Sequence, residues 1–256
     1  QRREGANECL ANFHEPRNRR ARQVLADGQR PHQDHQRQCH QQAGRTAYGP
    51  RPNGTPIDAR GGWHDAGDLL KYLMTSANAT AQMLLAYRIA PKAFPDLVRE
   101  NGRPGTNGVP DVLDEARWGL DWMLRLHPAP DELYHQVADD RDHWGWRLPA
   151  DEKADYGWGP GGPRVVYAAD GRPQGLGKHQ SESTGLGNLA GRYAAAMAMA
   201  CQIWRDDADH GAFAHRCLQA GVEVYALGRK HEGFQQGNSY GAPYRYHEST
   251  WADDME

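Results

Sequence analysis

The chain has 256 residues, a formal net charge of −3 at pH 7, 29 glycines and 16 prolines. That length suffices for one large domain or two small ones with a substantial buried core. The weak net charge does not indicate a nucleic-acid partner, and no apolar stretch approaches the roughly 20 residues that a membrane-spanning helix needs.

Residues 1 to about 45 differ in composition from the rest of the chain. They are rich in Arg and Gln, and Leu10, Phe13, Val24 and Leu25 are nearly their only large apolar residues. Such a segment cannot bury enough apolar surface to offset the entropy lost on ordering. We therefore interpret 1–45 as disordered or as an aberrant reading frame, and assign 46–256 to the folded domain.

Five helices are predicted in 46–256 from apolar residues at steps of three and four. The first runs from Asp68 to about Arg88, the second opens with Pro110, the third is capped by Thr184, the fourth runs from about Ala208 to Leu227, and the fifth begins near Trp251. Proline is tolerated in the first turn of a helix. Two tryptophans of the second helix, Trp118 and Trp122, stand at helical spacing and are expected in the core.

The connection from 128 to 183 is long, aromatic and punctuated by Gly and Pro. Connections of this length in a compact domain are usually functional. A short hairpin is predicted around Val165 to Ala168, but no strand-rich block is visible. We therefore expect an all-α architecture of helical hairpins joined by elaborate loops.

The segment GGWHDAGD, residues 61–68, places two carboxylates three residues apart. Asp65 and Asp68 could cap the first helix and interact with its dipole. Alternatively, glycines that let a ligand approach the backbone, Trp63 stacked on a sugar, and two acids suit a hydrolase that deprotonates water. Both interpretations are open from this segment alone.

Six ordered blocks between about residue 39 and 256 resemble glycoside hydrolase family 9, the inverting cellulases with an (α/α)6 barrel. They are GGWHDAGDLLKY, GVPDVLDEARWGLDWML, YHQVADDRDHWGWRLP, GPRVVYAADGRPQGL, STGLGNLAGRYAAAMAMA and ESTWADDME. The resemblance implies an endo-β-1,4-glucanase whose barrel is represented here by about its first half. It also implies a secreted protein, although no N-terminal segment predicts a secretion signal, and we expect a monomer.

By position, the resemblance assigns Asp68 as the catalytic base and Asp65 as the aspartate that helps to hold the nucleophilic water. The family's general acid is a glutamate far toward the C-terminus, and nothing in this chain matches it. Glu115 is instead expected to be a helix-surface or packing residue. We therefore expect the 256-residue polypeptide alone to hydrolyse little or nothing.

The resemblance also implies a sugar-binding cleft and two metal sites. His143, Trp144 and Trp146 match the cleft wall, and Tyr246, with Tyr244 beside it, aligns more loosely. A calcium site would use the oxygen ligands of Ser249, Thr250, Asp253 and Asp254. A helix N-cap followed by acidic residues in the first turn would give the same sequence pattern. A structural zinc site would include Cys39, His40 and His64, and is incomplete because zinc takes four ligands.

Two other functions are compatible with these residues. One is an exo-acting family 9 enzyme, a cellobiohydrolase, β-glucosidase or glucosaminidase, in which loops block one end of the cleft. The other is a non-catalytic carbohydrate-binding helical toroid. The presence of both Asp65 and Asp68 beside an aromatic cleft favours an enzyme over the toroid.

Overall fold

The computed structural model describes residues 44–65, 68–99, 102–142, 153–175, 180–238 and 248–256. Within these ranges no helix is both long and apolar enough to cross a membrane. The predicted boundary between the N-terminal segment and the folded domain falls inside the first strand, which begins at Gly44. The predicted disorder of 1–43 lies outside the described residues.

Helices make up most of the regular secondary structure in the described residues. Their bounds are α1 Leu73–Ile89, α2 Asp111–Arg125, α3 Gly187–Trp204, α4 Gly211–Lys230 and the short α5 Ala252–Met255. The most extensive contact joins α3 to α4, and α1 packs on both α2 and α3. Gly228 lets α3 and α4 approach closely, since a Cβ there would stand 2.4 Å from the Cβ of Ala190.

Helix α2 follows the sequence prediction. Pro110 precedes it as the N-cap residue, and the amphipathic stripe buries Leu113, Ala116, Leu120 and Met123. Burying such a stripe removes apolar surface from water at about 25 cal/mol per Å². Of the two tryptophans expected in the core, Trp122 is fully buried and Trp118 is half-buried.

Helix α1 begins five residues later than predicted, and the capping interpretation of the two aspartates is wrong. Its N-cap position is Tyr72, in extended conformation, and no side chain caps the helix. Lys71 and Tyr72 are extended because they form strand β3 against a strand more than sixty residues away. Asp65 and Asp68 therefore precede a strand, and neither lies in the first turn of a helix.

Two further details of the helices differ from the prediction. Thr184 does not cap α3, whose N-cap position is Leu186; the Thr184 hydroxyl instead accepts the N–H of Phe234 at 3.2 Å. Helix α4 begins at Gly211, three residues later than predicted, and its Tyr225 is 39% exposed, with the hydroxyl donating to the carbonyl oxygen of Met255 at 3.0 Å.

A five-stranded sheet shows that the all-α expectation is incomplete. Its strands are β1 Gly44–Ala47, β2 Pro56–Ile57, β3 Lys71–Tyr72, β4 Tyr134–Val137 and β5 Val165–Ala168, in the order β2-β1-β5-β4-β3. β1 and β5 are parallel and the other neighbours are antiparallel. The residues predicted as a hairpin form the central strand, with partners on both sides.

The register of β3 on β4 determines where the candidate catalytic segment lies. Lys71 stands opposite Val137 and Tyr72 opposite Gln136 in an antiparallel pair. Residues that precede β3 and residues that follow β4 therefore leave the sheet at the same end. This end brings Asp65 and Asp68 to the same side as the segment that leads into His143.

Candidate active site

The backbone of residues 59–62 is held by side chains of α2 and by Lys71. Each of its four carbonyl oxygens accepts at least one hydrogen bond from these side chains. The bonds are Trp122 Nε1 and Lys71 Nζ to Ala59 O (3.3 and 3.1 Å), Arg125 Nη1 to Arg60 O (3.0 Å), Lys71 Nζ to Gly61 O (2.7 Å) and Trp118 Nε1 to Gly62 O (3.1 Å). The loop that carries the aspartates is therefore anchored on one helix face.

Close packing of this loop on α2 requires glycine. Gly62 has a φ of +69°, a left-handed conformation that disfavours a side chain, and a Cβ there would stand 2.5 Å from the ring of Trp122. From the sequence, this glycine was expected to leave room for a ligand. In the structure, a buried tryptophan fills the space beside it.

The two candidate catalytic carboxylates are each oriented by a hydrogen bond. Asp68 Oδ1 accepts the backbone N–H of Leu70 at 3.0 Å, and its side chain is buried, with the residue 7% exposed. Asp65 Oδ1 accepts the hydroxyl of Thr75 at 3.1 Å, and its own N–H donates to Leu70 O at 2.8 Å. Fixed orientation of this kind is what a general base needs to accept a proton from a water in one defined position.

Trp63 is enclosed by α2 and α1. It is 8% exposed, and its ring fills the space beside Gly119, where a Cβ would stand 2.4 Å from its Cη2. Its Nε1 donates to Glu115 Oε1 at 2.7 Å. Burial raises the pKa of Glu115 to about 7, an effect opposed by the bond from Trp63. This enclosure leaves little of the Trp63 ring for the sugar stacking predicted from the sequence.

The segment that follows β4 is fixed by buried acid–hydroxyl contacts. Asp139 receives two hydrogen bonds from the guanidinium of Arg141, at 2.9 and 2.7 Å, one from the backbone N–H of Arg141 at 3.0 Å, and one from the hydroxyl of Tyr167 at 2.7 Å. Asp142 accepts the hydroxyl of Tyr156 at 2.7 Å. Burial and the nearby carboxylates raise the pKa of both tyrosines, so each stays a proton donor. The backbone is thereby held immediately before His143.

A further segment reaches the same end of the sheet. The side chain of Gln136 in β4 accepts the N–H of Asn238 at 2.6 Å and donates to its carbonyl oxygen at 3.0 Å. Gly237 lies against Tyr72, with the position of its Cβ 2.8 Å from the tyrosine ring. Residues 235–238, which precede Tyr244 and Tyr246 in the sequence, therefore lie beside β3 and β4.

Several predicted site residues lie outside the described residues. These are His143, Trp144, Trp146, Tyr244, Tyr246, Cys39 and His40. The structure locates only the segments that precede the cleft residues, 139–142 and 235–238. Their assignment to the cleft stays a prediction.

His64 is the described member of the predicted zinc set. It is 4% exposed, and burial, then Lys71 and Arg164, hold its pKa well below the usual value. The neutral imidazole is the form that binds zinc. His64 therefore fits the chemistry of a zinc ligand.

The residues assigned to calcium lie around α5. Thr250 donates its hydroxyl to Asp253 Oδ1 at 2.8 Å, and Asp254 Oδ1 accepts Arg192 Nε at 2.7 Å. Arg192 also pairs with Glu248 at 3.1 Å. Oxygen ligands suit calcium, but Asp254 is already paired with the guanidinium of Arg192. Over the described ranges, no three His, Cys, Asp or Glu side chains are grouped to hold a metal, and calcium binding stays a prediction.

The family profile of glycosyl hydrolase family 9 matches residues 14–256. The chain belongs to glycosyl hydrolase family 9. This confirms the resemblance drawn from the six sequence blocks. The match begins within the segment that was assigned to disorder or a frame error, and the structure describes none of residues 14–43.

Three similar proteins illustrate the relationship. Endoglucanase C of Cellulomonas fimi is 39% identical over 109 residues, which are 38% of this chain and 9% of that protein. A xyloglucan-specific endo-β-1,4-glucanase of Bacteroides ovatus is 28% identical over 198 residues, 76% of this chain and 29% of that protein. A crystal structure of a metagenome-derived family 9 endoglucanase superposes with a TM-score of 0.61 at 30% identity, covering 84% of this chain and 35% of that one. This chain spans at most about a third of each.

Sequence reasoning missed two residues of this site. Lys71 lies three residues after the segment 61–68 and was given no role, and Glu115 was assigned to the helix surface or to packing. A lysine flanked by Leu70 and Tyr72 at the start of a buried strand is an indication of a buried cation. The partner of Glu115 is 52 residues away in the chain, and the sequence gives no indication of that pairing.

Proposed function

We propose that this chain supplies the water-activating side of an inverting glycosidase site that cleaves β-1,4-glucosidic bonds in cellulose and related β-glucans with endo action. Asp68 takes the proton of the attacking water, and Asp65 holds that water in place. Inverting glycosidases keep roughly 6.5–9.5 Å between base and acid so that the water fits between the base and the sugar. General-base assistance of this kind contributes about 10²–10⁴-fold in rate.

The main support is the common location of two segments at one end of the sheet. Asp65 and Asp68 lie just before β3, and the acids that fix residues 139–142 lie just after β4, opposite in register. Both carboxylates of the pair are oriented by hydrogen bonds. A cleft wall built from His143, Trp144 and Trp146 would begin beside these carboxylates.

The substrate class follows from the similar proteins. One is called an endoglucanase and another a xyloglucan-specific endo-β-1,4-glucanase. Cello-oligosaccharides and xyloglucan oligosaccharides both present the β-1,4-glucosidic bond that an aromatic wall can bind through the apolar faces of the rings. We therefore include both in the test.

The test compares Asp68→Asn, Asp65→Asn and the exposed control Asp131→Asn in the natural gene product that carries this chain. We expect Asp68→Asn to lower kcat by about 10²–10⁴-fold on cellopentaose while its binding of the sugar is retained. Asp131→Asn should match the wild type. Equal kcat for Asp68→Asn and wild type would refute the assignment. Binding without any hydrolysis in the wild type would indicate a carbohydrate-binding toroid.

The product spectrum decides between endo and exo action. A spread of product lengths from soluble cello-oligosaccharides is expected for an endoglucanase. One repeated product would indicate an exo-acting enzyme. Comparison of kcat/KM between cello-oligosaccharides and xyloglucan oligosaccharides identifies the preferred glucan.

We also propose the finer structural assignments that the resemblance implies. The helices α1 to α4 would be part of an (α/α)6 barrel, and the protein would act as a secreted monomer, since polymeric glucan does not enter cells. Size-exclusion chromatography and fractionation of the producing culture test the last two points.

Metal binding is proposed at the two sites assigned by resemblance. Calcium would be held by Ser249, Thr250, Asp253 and Asp254, and zinc would be held by Cys39, His40, His64 and one further ligand. Metal analysis of the purified protein and thermal unfolding with added calcium or a chelator test both. An unchanged Tm with added calcium would refute the calcium site. A purified protein that contains no zinc would refute the zinc site.

A further inference from the structure

Trp63, which is buried, and Glu115, which is half-buried, form a hydrogen-bonded pair beside the candidate catalytic loop. The indole Nε1 donates to Glu115 Oε1 at 2.7 Å, and the tryptophan is 8% exposed. Burial raises the pKa of Glu115 to about 7, and Asp114 on the same helix adds to this effect. A partly desolvated acid held against an indole costs free energy, so the pair requires a compensating role or packing gain.

The pair lies where the hydrogen-bonded anchoring of the loop ends. Carbonyl oxygens 59–62 are each held by Lys71 or by a donor from α2. Trp63 is the next residue, and it is held through its side chain. Asp65 follows two residues later, within roughly 7 Å of chain. A displacement of Trp63 is therefore transmitted to the backbone of Asp65, whose N–H donates to Leu70 O.

The enclosure of Trp63 argues against a direct role of its ring in sugar binding. Its ring occupies the space beside Gly119 and Thr80, since a Cβ on Gly119 would stand 2.4 Å from the Trp63 ring and 2.4 Å from the Thr80 hydroxyl oxygen. Thr80 is fully buried in α1. The indole is therefore wedged between α1 and α2, with its Nε1 donating to Glu115.

We propose that Glu115 is a positioning residue that acts through Trp63 to hold the loop of Asp65 and Asp68 in its productive conformation. This role rests on the proposed glycosidase function, because it acts on the geometry of the water-holding carboxylates. In this role Glu115 touches neither the substrate nor the attacking water. Its action requires only an acceptor oxygen for the indole N–H.

The test uses Glu115→Gln, Glu115→Ala and Trp63→Phe in the natural gene product, with exposed Glu232→Ala as control. The amide oxygen of Gln can accept the indole N–H, so Glu115→Gln should keep kcat within about two-fold. Glu115→Ala and Trp63→Phe each remove the bond and should lower kcat about 10-fold with KM unchanged. The double variant should be no worse than either single one.

Different results would overturn the proposal. A rise in KM at unchanged kcat would make Trp63 a sugar contact, and additive effects would show that the two side chains act independently. An unchanged kcat in both Glu115→Ala and Trp63→Phe would leave no positioning role. If Glu115→Ala does not fold, Trp63→Phe and Glu115→Gln still decide the matter.

Hydrogen exchange of the Asp65 amide separates this proposal from the glycosidase assignment. Glu115→Ala should raise its exchange rate about 10-fold through local opening, and Glu115→Gln should not. If the wild type hydrolyses no glucan but this exchange pattern holds, the enzymatic assignment fails and the pair still positions the loop. If the exchange rate is the same in all variants, the positioning role fails whatever the activity.

Discussion

The ammonium group of Lys71 donates a 2.7 Å hydrogen bond to the carbonyl oxygen of Gly61, although the lysine is only 2% exposed. Burial holds the pKa of Lys71 well below its usual value, and the charges of Arg164 and Arg125 add to this. The same Nζ reaches Ala59 O at 3.1 Å. One buried cation thus joins the first residue of β3 to the loop that leads to Asp65.

We expect Lys71→Met to destabilise the fold by about 2 kcal/mol, because Gly61 O loses its donor in a buried place. Removal of the buried charge offsets part of the loss, and Ala59 O keeps the bond from Trp122. Urea unfolding measures the change, with Lys92→Met on the exposed Lys92 as control. A Lys71→Met protein as stable as the control would show that the loop does not depend on this cation.

Gly62→Ala should destabilise the fold more than Gly108→Ala, although both glycines have a positive φ, +69° and +86°. A Cβ at position 62 would stand 2.5 Å from the Trp122 ring, whereas position 108 has no heavy atom within 4 Å. We expect about 1 kcal/mol for Gly108→Ala from backbone strain alone. Gly62→Ala should cost roughly 2–4 kcal/mol, because overpacking is added.

Thermal and urea unfolding of these two variants measure the comparison. Equal losses would mean that the loop moves away from α2 without cost. That result would contradict the tight anchoring described for residues 59–62.

Glu115 should make stability fall as pH rises through its titration range. Its folded pKa of about 7 lies above the ordinary value of 4.5, so between these values the folded state binds more protons than the unfolded state. Stability is therefore greatest below pH 4.5 for this group and decreases up to about pH 7. The substitution Glu115→Gln removes this pH dependence, because the amide does not titrate.

The measurement is the difference in unfolding free energy between wild type and Glu115→Gln at pH 5 and pH 8. We expect the free energy of unfolding of Glu115→Gln, relative to that of the wild type, to increase as pH rises. A difference that does not change with pH would show that Glu115 titrates normally and is solvated.

His135 should make stability fall as pH decreases, the opposite of the dependence expected from Glu115. Burial lowers its pKa to about 4 from 6.5, and its Nε2 lies 2.9 Å from Gln174 Oε1. The unfolded state therefore binds more protons between these values, so stability is present above pH 6.5 and is lost as pH falls toward 4. The full effect is about 3 kcal/mol, at 1.36 kcal/mol per pKa unit.

His135→Gln should reduce this acid sensitivity. Urea unfolding at pH 7.5 and pH 4.5 gives the comparison, with wild type losing more stability than the variant on acidification. The same loss in both proteins would assign the acid sensitivity to other groups.

The sequence predicted those elements whose structure depends on nearby residues. Helix α2 was predicted because its apolar stripe and Pro110 act within the helix itself. The start of α1 and all but one of the strands were not, because β3 and β4 are only two and four residues long and are fixed by partners far along the chain. Strands this short show no alternation that could be distinguished from a loop.

The candidate site divides in the same way. The family motif indicated Asp65 and Asp68, and the structure adds how each is oriented, through Thr75 and Leu70. Trp63 was expected to stack on a sugar. Its burial could not be predicted from the sequence, because its partner Glu115 lies in another block of the sequence. Contacts between distant segments, rather than the motif residues themselves, determine which aromatic ring is available to a sugar.

Chemical rescue of Asp68→Ala in the natural gene product tests the central claim most directly. Removal of the base should lower hydrolysis of cellopentaose about 10²–10⁴-fold, and sodium azide should restore turnover by attacking the anomeric carbon without a base. Inversion predicts an α-glycosyl azide product, visible by proton NMR. Wild-type activity in Asp68→Ala, or an azide adduct of β configuration, would contradict the assignment of Asp68 as the base of an inverting reaction.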